Sequence, residues 1–120
     1  MSAGINGVSY IMLGVTDLER SVAFYTETLD QSVKMRFENF AFIDAGPIAI
    51  GLSAGLAATR PHIAGAMEIV FAVDSVTTAH RELADKGVQF LREPRQATDK
   101  EWVVTLLDPD GHYISLFGAP

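Results

Sequence analysis

The chain has no cysteine, which excludes disulfides, thiolate metal sites and cysteine nucleophiles together and fits a reducing compartment. It also lacks any apolar run near the ~18 residues of a membrane span, and no charged segment followed by an apolar one opens it as in a signal peptide. A cytoplasmic protein with no membrane partner is expected. Positive charge is scarce: 9 Lys plus Arg stand against 15 Asp plus Glu, for a formal net charge of −6. The basic residues are scattered, and a nucleic-acid face needs a concentrated positive field, so no nucleic-acid partner is expected.

What is present suits one domain of 120 residues, long enough to bury roughly two-thirds of its unfolded surface without staples. Its most informative stretch is VVTLLDPDGHYISLF, from Val103 to Phe117. Two β-tolerant apolar runs flank Asp108-Pro109-Asp110-Gly111, which is a hairpin signal. Pro109 presets φ, Asp108 can accept from backbone donors beyond it, and Gly111 suits a positive φ. Alternation puts Tyr113, Ser115 and Phe117 on one face of the returning strand and Ile114 and Leu116 on the other.

From the N-terminus, Val8 to Val15 reads as a strand with Tyr10, Met12 and Gly14 on one face. Asp17 reads as the cap of a helix whose buried face is Leu18, Val22, Tyr25 and Leu29. Three short strands follow, Val33 to Phe37, Phe40 to Asp44 and Ile48 to Ser53, spaced as an antiparallel meander. Residues 54–65 show no clean period and read as a linker or flap. The pattern then restarts: Glu68 to Val73 is a strand and Asp74 or Ser75 a cap. Val76, Ala79, His80 and Leu83 form the buried face of a second helix, closed by Gly87. Val88 to Leu91 is a further strand before the final hairpin.

Sliding one half over the other by 58 residues, the separation of Asp17 and Ser75 in the chain, aligns Val15 with Val73, Tyr25 with Leu83 and Tyr10 with Glu68. A duplicated strand-helix-strand-strand-strand unit implies pseudo-twofold symmetry. The expected organisation is a first module at 8–53, the linker at 54–65 and a second module at 66–118. Helices on one face of each sheet leave the opposite faces free to curve around a cleft, where function is expected.

Three motifs carry a family resemblance. They are Val15-Thr16-Asp17-Leu18-Glu19-Arg20-Ser21 with Phe24-Tyr25 and Leu29, Val73-Asp74-Ser75-Val76, and Asp108-Pro109-Asp110-Gly111 before the last strand. In that order and spacing the chain resembles the vicinal oxygen chelate superfamily of glyoxalases, bleomycin-resistance proteins and dioxygenases. The resemblance implies an α+β fold of two tandem βαβββ modules forming a curved mixed sheet around a cleft. It also implies a homodimer.

In the metal-dependent members of that family, four cleft-facing side chains hold a divalent ion, two from each module. Their positions here fall on Tyr10, Gly51, Glu68 and Ser115, of which Glu68 alone is a good ligand. A catalytic divalent site needs about three protein ligands, so the expectation is no cofactor and no metal. His80 on a helix and His112 in a turn do not restore a site, and His62 in the linker is the histidine best placed to reach a ligand. A metal-dependent glyoxalase-like lyase or dioxygenase, using Glu68 with His62 or with groups from a second subunit, stays as the alternative.

Without a metal the cleft is expected to bind a small organic molecule, aromatic or hydrophobic. Its expected lining is Met12, Phe40, Phe42, His62, Trp102, Tyr113, Ser115 and Phe117, with Ala49, Gly51 and Val70. The plainer reading of the aromatics is core filling. Glu68, expected among apolar neighbours, should find a partner or shift its ionisation, and Tyr10 is the expected partner. The pair Glu68 and Tyr10 is the candidate catalytic set, with Glu68 as general base of a metal-free isomerase or lyase. The protein is then either a binder of the bleomycin-resistance kind or such an enzyme.

Overall fold

The computed structural model describes residue 4, residues 8–59 and residues 67–120. It divides into two compact units, Met1–Pro61 and His62–Pro120. His62 and the other residues of 60–66 lie outside the described part.

In the first unit, β1 (Tyr10–Gly14) leads into α1 (Leu18–Ala23), followed by a π-helical turn (Phe24–Thr28), β2 (Ser32–Arg36), β3 (Phe40–Asp44), β4 (Ala49–Ser53) and α2 (Ala54–Thr59). The four strands form one mixed sheet in the order β1-β4-β3-β2, with β1 parallel to β4 and the rest antiparallel. Asp17 caps α1 as expected: it has extended backbone, and its side chain accepts from the Arg20 N–H at 3.1 Å. The sheet sends Leu13, Ala41, Ile43, Ile50 and Leu52 into the core, where they meet Leu18 and the fully buried Tyr25.

Two details of α1 depart from the expected face. Ser21 rather than Val22 is buried beside Leu18 and Tyr25, and Leu29 is only half-buried. The hydroxyl of Thr26 donates to the Val22 carbonyl at 2.7 Å, and the Leu29 N–H reaches back to Phe24 at 3.0 Å, five residues away. Ser21 shares the i, i+3, i+7 face of Leu18 and Tyr25, while at Leu29 a side chain competing for the helical carbonyl loosens the ladder and the wider turn changes the phase of the residues after it. The expected linker also begins as a helix. Ser53 Oγ accepts from the Leu56 N–H at 3.0 Å, and the alanine-rich run behind it has high helix propensity.

The second unit repeats the plan: β5 (Glu68–Val73), α3 (Val76–Asp85), β6 (Arg95–Gln96), β7 (Trp102–Leu107) and β8 (Tyr113–Gly118). Its sheet has the order β5-β8-β7-β6, with β5 parallel to β8. Ser75 caps α3 and accepts from the Thr78 N–H at 3.2 Å, the counterpart of Asp17 one repeat earlier. Gly87, at φ 86°, closes the helix, with Gly87 N–H bonding to Ala84 and Val88 N–H to Leu83, the paired bonds of a left-handed helix end. Val76, Val104, Leu106, Ile114 and Leu116 make the core.

The expected strand at Val88 to Leu91 is reduced to a single bridge, Phe90 to Leu106, and the regular pairing resumes only at Arg95. Pro94 lacks a donor and restricts Glu93 before it, so the edge breaks there. The equivalent strand β2 also slips in register, between Val33 and Met35. Among the described residues no helix is long and apolar enough to cross a membrane.

The final hairpin follows its sequence. Asp108 is 5% exposed, and its Oδ1 accepts from the N–H groups of Asp110 at 2.9 Å and His112 at 2.8 Å, while Gly111 takes φ 84°. Asp108→Ala strands two backbone donors, so urea unfolding is expected to show a loss of about 2 kcal/mol, with Asp108→Asn recovering part of it. A tight backbone approach lies at the other end of β8. A Cβ on Gly118 would overlap the Val73 carbonyl oxygen and sit 3.1 Å from its carbon. Backbone yields less readily than a side-chain tip, so Gly118→Ala is expected to destabilise by about 1–3 kcal/mol in the same assay.

Candidate functional site

Each sheet has one face packed on its helix and one face turned away from it, and the expected site residues sort by strand alternation. In the first unit the face away from α1 carries Tyr10 and Met12 of β1, Gly51 of β4, and Phe40 and Phe42 of β3. Met12, Gly51 and Phe42 lie side by side across the sheet. Gly51 has a specific use here: a Cβ would overlap the Met12 sulfur and lie 3.2 Å from Phe42 Cε1. The missing side chain lets Met12 fold across the centre of the sheet.

Around that sulfur the aromatics form a continuous row. Tyr10 meets Phe42 edge-on at 4.8 Å between centroids, Phe42 meets Phe40 edge-on at 5.6 Å, and Phe40 stacks on Phe37 at 4.5 Å. These are the separations at which ring quadrupoles attract. The ends of the row stay open to solvent, with Tyr10 49% and Phe37 44% exposed. Phe37 was not among the expected site residues. Its signal was the two-residue Glu38-Asn39 turn, which pairs Phe37 with Phe40 through the bond from Phe37 N–H to the Phe40 carbonyl at 2.8 Å.

In the second unit the face away from α3 carries a polar string. Ser115, only 1% exposed, donates to Glu68 Oε2 at 2.8 Å and lies 2.7 Å from Thr105 Oγ1. A hydroxyl has one proton. With that of Ser115 given to the carboxylate, Thr105 must be the donor to Ser115. The string therefore runs Thr105 to Ser115 to Glu68 and leaves the second carboxylate oxygen for other donors. Register places Tyr113 beside Glu68 on the same face, and Phe117 and Val103 beyond Ser115.

Two expectations are corrected. Glu68 is exposed at the start of β5 rather than sunk among apolar side chains. Within its own unit its hydrogen-bond partner is Ser115, because the parallel β5–β8 register brings that hydroxyl diagonally beside the carboxylate. Trp102 belongs to the other face. It pairs with Gly118 and alternates in step with the buried Val104 and Leu106, so it lies on the α3 side of the sheet, opposite Ser115. Thr105 takes its place, and the hairpin register Thr105 to Ser115 is the signal that would have found it.

Donor chemistry at the four positions implied by the family does not fit a divalent ion. Gly51 has no side chain and its space is filled by Met12; Ser115 is committed to Glu68; Tyr10 packs as a ring on Phe42. Glu68 alone remains, against the three or so protein ligands such a site needs. Among the described residues no three His, Cys, Asp or Glu come together to hold a metal. His80 instead packs on Phe90 at 4.5 Å with Glu93 3.9 Å from its Nε2, and the His112 N–H belongs to the Asp108 turn.

This architecture has relatives. In solved structures, the genomically encoded fosfomycin resistance protein FosX of Listeria monocytogenes superposes with a TM-score of 0.80 at 20% identity, covering 97% of this chain and 95% of that one. The antibiotic binding protein TnmS3 of Streptomyces sp. CB03234 gives 0.80 at 20% identity, covering 98% of each chain. In sequence, the metallothiol transferase FosB of Bacillus licheniformis is 24% identical over 115 residues, which is 93% of this chain and 75% of the relative. The family model for the Glyoxalase/Bleomycin resistance protein/Dioxygenase superfamily matches residues 7–116. With two βαβββ units built as that fold requires and a match over nearly its whole length, the chain belongs to the glyoxalase/bleomycin resistance/dioxygenase superfamily.

Proposed function

We propose that the protein binds a small organic molecule with an aromatic or hydrophobic body, without a protein-held divalent metal. The observation that carries this reading is the half-open ring row Phe37-Phe40-Phe42-Tyr10, with Met12 spread over Gly51. Rings and a thioether offer a flat, polarizable surface to another ring. Covering about 100 Å² of it contributes about 2.5 kcal/mol. The fold is shared with an antibiotic binding protein, so sequestration without turnover is a use to which it is suited.

Elemental analysis of the purified protein is expected to find Ni, Zn, Mn and Fe far below one equivalent; a stoichiometric amount of any of them overturns the metal-free reading. Calorimetric titration with 1-naphthalenemethanol is expected to give saturable binding that falls about tenfold in Phe42→Ala and in Tyr10→Ala. Unchanged affinity in both variants would remove the ring row from the site.

A second reading follows from Glu68 itself, whose carboxylate is exposed with one oxygen held by Ser115. Such a group is placed to act as general base in a metal-free isomerase or lyase step. If the protein turns over a carbon acid, Glu68→Gln is expected to lower kcat by about 10² or more while leaving binding of the neutral probe in place.

A further inference from the structure

We infer that the open face of the second sheet is a subsite for an organic cation, a primary ammonium or similar donor group, read by Glu68 with Tyr113 and positioned by Ser115 and Thr105. It rests on the reading of the open sheet faces as small-molecule surfaces and names the chemistry that one of them selects.

The direction of the hydrogen bonds is the first ground. Thr105 donates to Ser115 and Ser115 to Glu68 Oε2, so both hydroxyl protons are spent inside the protein. What the string offers a ligand is acceptor capacity: the second Glu68 oxygen and the lone pairs of Thr105. An anionic group would meet a carboxylate and no donor from the string, whereas an ammonium completes a charge-assisted bond.

The second ground is what surrounds the carboxylate. Among the described residues the ion pairs are Arg36–Glu19 and His80–Glu93, and neither involves Glu68. Arg95 shares the sheet face through its pairing with Val103. It stands three strands over and four residues along from the Glu68 row, roughly 14 Å across and 13 Å along the sheet, too far to neutralise it. Tyr113 is level with Glu68 on the adjoining strand, and Val70, 52% exposed, is the next residue of β5 on that face. A carboxylate beside a phenol ring and an aliphatic surface satisfies an ammonium head and its carbon stem together. The formal charge of −6 favours approach of cations over anions.

The third ground is the burial of Ser115. A hydroxyl 1% exposed with both neighbours in bonding range has a single arrangement, which holds the Glu68 carboxylate in one orientation. Ser115 and Thr105 are thus positioning residues, acting through Glu68.

The test compares three probes that share a naphthyl body by calorimetry: 1-naphthylmethylamine, 1-naphthalenemethanol and 1-naphthoate. The amine is expected to bind at least tenfold more tightly than the naphthoate, and Glu68→Gln to erase that preference while keeping the alcohol's affinity. Thr105→Val, which removes the hydroxyl at constant shape, is expected to weaken the amine about threefold, and Thr105→Ser to restore it; thermal melts confirm that each variant is folded. Equal binding of amine and naphthoate, with the alcohol still bound, overturns the cation subsite and leaves the broader reading standing. Binding of none of the three probes removes both. Retention of the amine preference in Glu68→Gln assigns it to another group and overturns the inference.

Discussion

The parallel pairing of the first and last strand of each unit is the constraint on which the rest depends. In the second unit it runs from Glu68 opposite Tyr113 to Val73 opposite Gly118, and it is held at its far end by a backbone approach that leaves no room for a side chain on Gly118. A slip of one residue would exchange the two faces of β8, sending Ile114 and Leu116 out and Ser115 and Phe117 against α3. Because one face is core and the other is open, the register decides the chemistry as well as the stability. This register sets Ser115 on the same face as Glu68 and diagonal to it, within bonding distance.

The two units solve the same geometric problem with opposite chemistry. At the centre of the first sheet stands Gly51 between Met12 and Phe42, and at the centre of the second stands Ser115 between Val70 and Thr105. Removing the side chain at one centre admits a thioether and a row of rings. Placing a hydroxyl at the other lets a carboxylate be held by a proton from within the sheet. Both substitutions fall where metal-dependent relatives are expected to carry ligands. Each fills the space by a short-range contact of its own, and of the four positions Glu68 alone keeps a side chain suited to an ion.

Much of the fold could be read from local signals because local physics enforces it. Asp17 and Ser75 cap because a side-chain oxygen beside free N–H groups satisfies them wherever the chain goes next, and Asp108 organises its turn for the same reason. Alternation in β8 predicted its two faces because that strand has no bulge. The failures have physical causes as well. The wider turn after α1, where the Thr26 hydroxyl bonds the Val22 carbonyl, shifted the phase at Leu29, which apolar spacing does not register. The strand expected at Val88 to Leu91 is reduced to one bridge, with Pro94 interrupting the edge before pairing resumes at Arg95. Trp102 was grouped with the site by its chemistry, while the parity it shares with Val104 and Leu106 puts it on the other face.

The sequence by itself determined the family, the duplicated βαβββ plan, the caps and the final turn. All of these depend on residues a few positions apart or on residue type alone. Only the tertiary structure decided that Glu68 is exposed, that its donor is Ser115, that Thr105 stands behind that donor, and that Phe37 extends the ring row. Those facts depend on strand register and on the number of protons a hydroxyl can give, and register is set by core packing across strands far apart in the chain, which spacing along one strand does not encode.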